Sequence, residues 1–244
     1  MKIEVLFPEI CNLYGDLFNV KYLKECLPDA EIIETSLADT PLFVTEKPDL
    51  IYMGTTTERG QILAIEALQP YKDRIKNCID ENVNFLITGN AMEIFFQEII
   101  EGGEKVCDGL GIFDFTAKRE ARKRFNSLYL GDFIAEGEKE PIKIVGFKSL
   151  FGFAYGDNAE CALFATERGD GLNPDCKGEG IKINHFFATH ITGPLLVLNP
   201  TFTKWYMKHM LHVENAQLAF EEAALDAYQS RVAEFSDPGT GFYY

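Results

Sequence analysis

The chain lacks several features that would place it in a well-defined class. Among its 244 residues no apolar run approaches the length of about 18 that a membrane span needs. Its six cysteines form no CxxC pair, so a zinc ribbon or a thioredoxin-like site has no support. Cations are scarce, with 23 Lys and Arg against 38 Asp and Glu, and the net charge of −15 argues against nucleic acid or an anionic membrane as the main partner. These absences favour a soluble globular protein.

The N-terminus and the cysteines both bear on location. Residues 3–7 form a short apolar run interrupted by Glu4, which is typical of a first strand and not of a signal peptide. Cysteines without paired spacing are expected to be reduced thiols, so we expect a cytoplasmic protein. No histidine pair is accompanied by a further ligand at a suitable spacing. We therefore expect no metal ion, and no motif indicates a cofactor.

Short apolar segments alternate with helical patterns in the first half of the chain. Strands are predicted at residues 3–7, 31–34, 49–54 and 84–88, and helices at 18–27, 59–79 and 91–100. The alternation predicts an α/β protein with a mostly parallel sheet covered by helices on both faces. Right-handed crossovers bring every strand-to-helix loop to one edge, where open α/β sheets bind ligands.

The second half changes character. Shorter strands are predicted at 111–116, 127–135, 142–147 and 161–166, which indicates an antiparallel middle section. A strand at 182–191 and helices at 201–212 and 214–235 then complete the chain. We expect one domain over residues 1–235, with the tail 236–244 outside the core.

Motifs at the predicted strand ends resemble one family when they are taken together. The matching segments, in chain order, are Asn12-Leu13-Tyr14-Gly15-Asp16 with Asn19, Gly54-Thr55-Thr56-Thr57-Glu58-Arg59-Gly60-Gln61, Gly109-Leu110-Gly111, Gly146-Phe147, and Ala188-Thr189 with Gly193-Pro194 and Asn199-Pro200. They are similar to the motifs of cobalamin-type class I glutamine amidotransferases. That family includes cobyric acid synthase and, as the closer match, the glutaminase subunit of lipid II isoglutaminyl synthase.

The resemblance implies a three-layer α/β/α, flavodoxin-like fold and a specific chemistry. In this family a cysteine on a sharp strand-to-helix turn attacks the glutamine amide, because the turn exposes the sulfur near backbone N–H groups. A histidine on a later strand accepts the proton, and the ammonia passes to an acceptor held by a partner. The implied partner is a Mur-ligase-like or other ATP-dependent amide-forming synthetase, in peptidoglycan or cobalamin amidation.

The family's nucleophile is missing from this sequence. The family turn has the sequence Ile-Cys-Gly-Gly-Tyr-Gln, whereas Thr88, Gly89 and Asn90 follow the strand here. Aligning the strand puts Thr88 at the nucleophile position, and aligning the family's glutamine with Glu93 puts Gly89 there. An alcohol needs a strong adjacent base to replace a thiol. Glutamine hydrolysis by the family mechanism is therefore expected to be negligible.

The family's histidine and its glycine-rich loop are altered as well. The final family block has the sequence Thr-Tyr-Leu-His-Gly-Pro, and here Thr192 takes the place of the histidine while His190 takes that of the tyrosine. Strand alternation puts His190 on the same face as Thr192, as either a reaching base or a hydrogen-bonded core group. Gly54 is followed by Thr55 and Thr56 where the family has two further glycines. That change predicts a reshaped or filled oxyanion pocket.

Three functional hypotheses stay open. The first is a degenerate amidotransferase-like subunit kept for binding or regulation. Its ligand-binding positions would be Gly54, Thr55, Glu58, Asn90, Glu93 and Arg124. Arg124 is the best match to an arginine that contacts glutamine in the relatives, and its alternative is a solvated turn.

The other two hypotheses are enzymes. In one, Glu93 or Glu58 works with His190 in a different acid–base chemistry, although the plainer alternative is that both glutamates cap the helices they begin. In the other, a displaced thiol from Cys11 or Cys107 folds back beside the turn and keeps the glutaminase active.

Overall fold

The computed structural model of the protein describes residues 1–120, 122–135 and 140–244. Within them the strands, in chain order, are β1 (Lys2–Leu6), β2 (Glu31–Thr35), β3 (Leu50–Met53), β4 (Asn84–Thr88), β5 (Glu98–Glu101), β6 (Glu104–Asp108), β7 (Thr116–Arg119), β8 (Phe125–Phe133), β9 (Ile142–Leu150), β10 (Gly152–Tyr155), β11 (Phe164–Arg168), β12 (Gly178–Glu179), β13 (Ile181–Ile183) and β14 (Phe186–Thr189). The helices are α1 (Phe18–Cys26), α2 (Leu42–Thr45), α3 (Glu58–Leu68), α4 (Lys72–Asp80), α5 (Leu195–Leu198), α6 (Pro200–His209) and α7 (Glu221–Ser236). Short 3₁₀ segments lie at Leu13–Gly15, Gln69–Tyr71 and Gly89–Phe95.

Six strands form the central sheet, in the order β13-β14-β4-β3-β1-β2. All neighbours pair in parallel except β13, which pairs antiparallel with β14 at the edge. The strand order reverses between β1 and β3, since β2 lies on one side and all later strands on the other. Loops that follow β1, β3, β4 and β14 therefore open at one edge of the sheet, next to this switch point.

Alternation along β3 explains why both faces of this sheet are covered. Ile51 and Met53 face a core that includes residues of α3 and α4. Leu50 and Tyr52 face the opposite core, which includes residues of α1 and α6. Side chains on a strand alternate between its two faces, so a strand with apolar residues at every position needs cover on both. The predicted three-layer α/β/α fold is confirmed.

The predicted antiparallel middle section is also present, as two four-stranded sheets. One has the order β10-β7-β5-β6 and the other β12-β11-β8-β9. All pairs in them are antiparallel except β5 with β7. An isolated bridge between Phe147 and Thr192 joins β9 to the segment after β14, and thereby brings this section against the open edge of the central sheet.

The predicted helix at 91–100 is wrong. Only the 3₁₀ segment Gly89–Phe95 forms, and β5 follows it. The carbonyls that a longer helix would use accept other bonds: Leu110 N–H donates to Ile94 O at 2.8 Å and Gly111 N–H donates to Phe96 O at 2.7 Å. Pairing with residues 109–113 thus replaces the helical bonds that the apolar pattern suggested.

Three smaller expectations also differ from the structure. The strand predicted at 182–191 is a hairpin, because Asn184 takes a φ of 52° between β13 and β14. The strand predicted at 111–116 begins only at its last residue. The tail is not wholly outside the core, since Phe242 is buried against Phe235, Leu130 and Val145. Among the described residues no helix has both the length and the apolar character needed to cross a membrane.

Candidate functional site

Four strand-end loops surround one cavity at the open edge of the central sheet. Its volume is about 370 Å³, and the loops after β1, β3, β4 and β14 all contribute to its wall. Side chains from β7 and from the turn after it close the remaining side. The residues that border the cavity include Tyr14, Thr55, Glu58, Asn90, Glu93, Arg119, Arg124 and Thr192.

The sharp turn after β4, which we call the elbow (residues 88–90), has its bend at Gly89. Gly89 takes a φ of +63°, whereas Thr88 is extended. A strand-to-helix turn with a strained residue at its tip is the geometry that presents a nucleophile in other hydrolases. A Cβ atom placed on Gly89 would lie 2.1 Å from Thr55 Oγ1. The side chain of Thr55 therefore fills the space that a side chain at the bend would need.

Thr88 points away from the cavity into a buried polar group, the Asp16 cluster (Asp16, Asn19, Tyr52, Thr55 and Thr88). Asp16 Oδ2 accepts bonds from Thr88 Oγ1 at 2.6 Å and from both Thr55 N and Thr55 Oγ1 at 2.7 Å. Asn19 Nδ2 donates to Asp16 Oδ1 at 3.0 Å, and the Tyr52 hydroxyl donates to Asp16 O at 2.7 Å. Burial raises the pKa of Asp16, against the effect of these donors. The cluster fixes Thr55 in place and leaves Thr88 no free hydroxyl.

A backbone amide of the loop after β3 is also occupied. Thr56 N–H donates to Asn90 Oδ1 at 3.0 Å, and Asn90 Nδ2 donates to Thr56 O at 2.9 Å. An oxyanion hole needs backbone N–H groups that face the reacting oxygen. Here the side chain that follows the bend takes the N–H of Thr56, so the loop offers no such donor at this position.

Cys11 lies close to this loop, with its thiol buried. The carbonyl oxygen of Cys11 would be 2.7 Å from a Cβ on Gly54, which explains the glycine there. Burial raises the pKa of the Cys11 thiol to about 12, although a bond with the Thr56 hydroxyl opposes the rise. Burial raises the pKa of Cys107 on β6 as well. A raised pKa disfavours the thiolate that a nucleophile needs, so the structure gives the displaced-thiol hypothesis no support.

A second buried group, the Glu93 cluster (Gln61, Glu93, Arg119 and His190), lies at the base of the cavity. Glu93 Oε1 is 3.3 Å from His190 Nε2, and Glu93 Oε2 is 3.6 Å from Arg119 Nη2. Gln61 Nε2 donates to Glu93 Oε2 at 3.0 Å. Burial opposes the ionisation of Glu93, but the bond and charge of His190, together with the charge of Arg119, outweigh it and lower the pKa of Glu93. A carboxylate and an imidazole are thus in contact beside the cavity.

The Glu93 cluster is incompletely paired. Among residues 1–120, 122–135 and 140–244, five buried side-chain atoms lack a hydrogen-bond partner, and three of them are Arg119 Nη2, His190 Nδ1 and Gln61 Oε1. Rotating the Gln61 amide does not help, because its Nε2 already donates to two acceptors, Asn90 O and Glu93 Oε2. Unpaired buried polar atoms are rare and costly. Three in one place mark this cluster as different from the rest of the interior.

His190 is held from behind by a buried ion pair. Glu179 Oε1 accepts the backbone N–H of His190 at 2.9 Å and lies 3.2 Å from Lys148 Nζ. Burial lowers the pKa of Lys148, and the charge of Glu179 opposes that effect. Thr189 Oγ1 donates to Glu179 Oε2 at 2.5 Å. These contacts set the backbone from which the imidazole reaches Glu93.

The remaining residues singled out from the sequence fall around the same cavity. Glu58 lies in the first turn of α3, where the N-cap is Thr57, and no hydrogen bond or ion pair joins it to His190 among the described residues. Thr192 donates its hydroxyl to Phe147 O at 3.1 Å. Arg124 donates to the Tyr14 hydroxyl at 3.1 Å. The suggestion that Glu93 caps a helix is wrong, because its carboxylate contacts the side chains of Gln61, Arg119 and His190 instead.

Two residues of the site, Arg119 and Gln61, were not predicted from the sequence. The inward position of Arg119 was not predicted, because the strand was expected at 111–116. That prediction left Arg119 in a turn before the basic run 122–124. With β7 at Thr116–Arg119, alternation puts Ala117 and Arg119 on the buried face. Gln61 belongs to the glycine-rich motif, but nothing in the pattern indicated that it would turn inward.

The fold of the whole chain has known counterparts. A solved crystal structure of a glutamine amidotransferase superposes with a TM-score of 0.54, covering 86% of this chain and 99% of that one at 14% identity. The fold is that of the glutamine amidotransferases.

Two curated proteins are similar in sequence as well. Both are named as the GatD subunit of a glutamine-hydrolysing lipid II isoglutaminyl synthase. The one from Staphylococcus aureus (strain N315) is 24% identical over 217 residues, 88% of this chain and 85% of that protein. The one from Streptococcus pneumoniae (strain ATCC BAA-255 / R6) is 25% identical over 203 residues, 82% of this chain and 76% of that protein. No family model matches the chain.

Proposed function

We propose that this protein is a glutamine amidotransferase-like subunit that does not hydrolyse glutamine by the Cys–His mechanism and acts in binding or regulation. Its similarity to GatD subunits and its fold support the amidotransferase-like part of the proposal. A cytoplasmic location belongs to the proposal too, and it agrees with six cysteines that are all free thiols.

One observation supports the proposed loss of glutamine hydrolysis. The bend of the elbow is Gly89, and Thr55 Oγ1 occupies the space into which a Cβ at that bend would project. The positive φ makes Gly89, and not Thr88, the better counterpart of the family's cysteine. Removing the nucleophile or base of a comparable triad costs on the order of 10⁴–10⁶ in rate. Thr192 at the base position holds its hydroxyl on a carbonyl and has no basic group.

The proposed partner is an ATP-dependent amide-forming synthetase, with a Mur-ligase-like enzyme as the first candidate. The support is that the two relatives are named as subunits of a synthase. A subunit with this fold can dock on a synthetase and respond to a ligand without releasing ammonia itself. In that arrangement the synthetase draws ammonia from solution or from another glutaminase.

Ammonia release from glutamine tests the proposal directly. The chain should be assayed alone and co-expressed with a Mur-ligase-like synthetase, with the Staphylococcus aureus subunit as the positive control. We expect release at the uncatalysed background in both preparations. Release at the rate of the control that disappears on thiol alkylation contradicts the proposal.

A second candidate function rests on the contact between Glu93 and His190. The 3.3 Å separation, next to a cavity that Glu93 borders, suits general acid–base catalysis of a different reaction. If this candidate is right, Glu93→Gln and His190→Gln should each abolish a turnover that resists thiol alkylation. Product formation unaffected by either substitution excludes it.

A further inference from the structure

A second and larger cavity lies beside β2, the strand at one edge of the central sheet. Its volume is about 900 Å³, and it shares no lining residue with the strand-end cavity described above. Val5 on β1 and Ile32 on β2 contribute to its wall together with residues of α1 and α7, so we call it the α1–α7 groove. Ligand sites in proteins have volumes of roughly 300–1,000 Å³, and this groove is within that range.

The α1–α7 groove exists because α7 carries small side chains on the side that borders it. These side chains are alanines: Ala223, Ala224 and Ala227. The Tyr22 hydroxyl donates to Ala219 O at 3.0 Å and thereby joins α1 to the segment before α7. Only Phe235 is buried among the 16 residues of α7. Alanine has no side-chain atom beyond Cβ, so the space between the two helices stays unfilled.

The wall of the groove offers hydrocarbon and no free hydroxyl. Two tyrosines line it, and both are engaged, since Tyr22 donates to Ala219 O and Tyr228 donates to Lys143 O at 2.8 Å. None of the unpaired buried side-chain atoms in residues 1–120, 122–135 and 140–244 belongs to a lining residue. The other uncharged residues of the wall are all apolar. A ligand inside the groove is therefore stabilised by burying apolar surface and not by hydrogen bonds to these side chains.

The charges around the groove have the opposite balance to those of the whole chain. Five charged residues border it: Lys21, Lys24, Glu25, Glu34 and Arg231. Three cations thus stand against two carboxylates, in a protein of net charge −15. Lys24 donates to two backbone carbonyls. In the part of the chain that the structure describes, neither Lys21 on α1 nor Arg231 on α7 has a carboxylate within ion-pair distance. Each wall of the groove therefore has a cation that can attract an anion.

We infer that the α1–α7 groove binds a single-chain anionic amphiphile, with the hydrocarbon chain inside the groove and the carboxylate or similar head beside Lys21 and Arg231. The apolar wall matches the chain, and the two unpaired cations match the head. We infer a free molecule and not a membrane surface, because a net charge of −15 repels an anionic bilayer. This site goes beyond the proposed function and uses no residue of the strand-end cavity.

Calorimetric titration of the full chain tests the inference, with decanoate, decanol and decylammonium as probes at concentrations where each is monomeric. We expect saturable binding of decanoate. Octanoate should bind about 15-fold more weakly, since each buried methylene contributes about fourfold in affinity. Decylammonium has the same chain and the opposite charge, and should bind about fivefold or more weakly than decanoate.

Two pairs of variants locate the site. Ala227→Trp fills the groove and should weaken decanoate binding at least 10-fold, whereas Ala233→Trp, at an exposed position of the same helix outside the groove, should leave it within about twofold. Arg231→Gln should weaken decanoate binding about 2- to 5-fold and leave decanol binding unchanged. Lys208→Gln, which removes an exposed cation outside the groove, should change neither.

Three results overturn the inference: no binding of decanoate, decylammonium binding as tight as that of decanoate, or an effect of Ala227→Trp no larger than that of Ala233→Trp. Sedimentation with phosphatidylglycerol vesicles tests the membrane as the alternative source of the amphiphile. We expect the protein to stay in the supernatant, and co-sedimentation that Ala227→Trp abolishes overturns the assignment to a free molecule. Ammonia release from glutamine is a separate measurement, so either proposal can fail without the other.

Discussion

The two buried polar clusters beside the cavity differ in how completely they are paired. In the Asp16 cluster one carboxylate receives donors from Thr55, Thr88 and Asn19, and none of its side-chain atoms is among the unpaired ones in the described residues. In the Glu93 cluster an arginine nitrogen, an imidazole nitrogen and an amide oxygen all lack partners. We call the fully paired Asp16 cluster closed and the incompletely paired Glu93 cluster open. A closed cluster stabilises the fold, whereas an open one retains donors and acceptors without partners. The contrast separates a buried polar cluster that is fully paired from one beside the cavity that is not.

The largest effect should come from opening the closed cluster. Asp16→Ala leaves the Thr55 amide and the hydroxyls of Thr55 and Thr88 without their carboxylate acceptor in a buried part of the protein. We expect the free energy of unfolding to fall by about 3–5 kcal/mol, since each stranded buried donor costs about 1–3 kcal/mol. Urea denaturation measures it, with the exposed Asp29→Ala as control. A loss below 1 kcal/mol means that the cluster does not hold the elbow.

Breaking the open cluster should cost less and change the pH dependence. The pKa of Glu93 is lowered in the folded protein, so its contribution is present above the unfolded value of about 4.3 and is lost as the pH falls through the lower folded value. Glu93→Gln strands the charge of Arg119, and we expect a loss of about 2–4 kcal/mol at pH 7. The variant should also lose less stability than the wild type between pH 6 and pH 3. The lowered pKa of Glu93 is contradicted if the free energy of unfolding falls by the same amount in the variant and the wild type between pH 6 and pH 3.

The packing of Thr55 against the bend of the elbow can be tested by adding a side chain at residue 89 and removing the side chain at residue 55. Gly89→Cys alone forces a side chain into a left-handed backbone and against Thr55, and should cost about 2–3 kcal/mol. Adding Thr55→Gly should return about 1 kcal/mol or more through the coupling of neighbouring sites. The new thiol of the double variant should react with iodoacetamide faster than any wild-type cysteine. Additive losses and an unreactive thiol contradict the proposed packing.

The smallest effect is expected at Glu58. Its carboxylate lies in the first turn of α3 and has no ion-pair partner among the described residues. Glu58→Gln should therefore lose only the favourable charge at a helix N-terminus, about 0.3–1 kcal/mol, measured by thermal unfolding at low salt. A much larger loss, or a loss that grows with added salt, indicates a role beyond that charge.

Much of the scaffold was predictable because its signals are local. The strand at 84–88 and the parallel sheet follow from apolar runs bounded by turn residues, and the structure confirms both. The helix at 91–100 failed because its carbonyls bond to residues 109–113, a distant segment that no periodicity reveals. Arg119 was missed for a related reason, since its inward position depends on where β7 begins.

The amino-acid sequence alone determined which side chains are available around the elbow: no sulfur at residues 88–90, and a threonine at residue 192. Only the tertiary structure decided which residue forms the bend and what fills it, because that depends on the φ of Gly89 and on Thr55, 34 residues away. It also decided that Glu93 and His190, 97 residues apart, share a buried contact. The identity of each side chain is fixed by the sequence, whereas its partners in a buried site depend on which distant strands lie side by side.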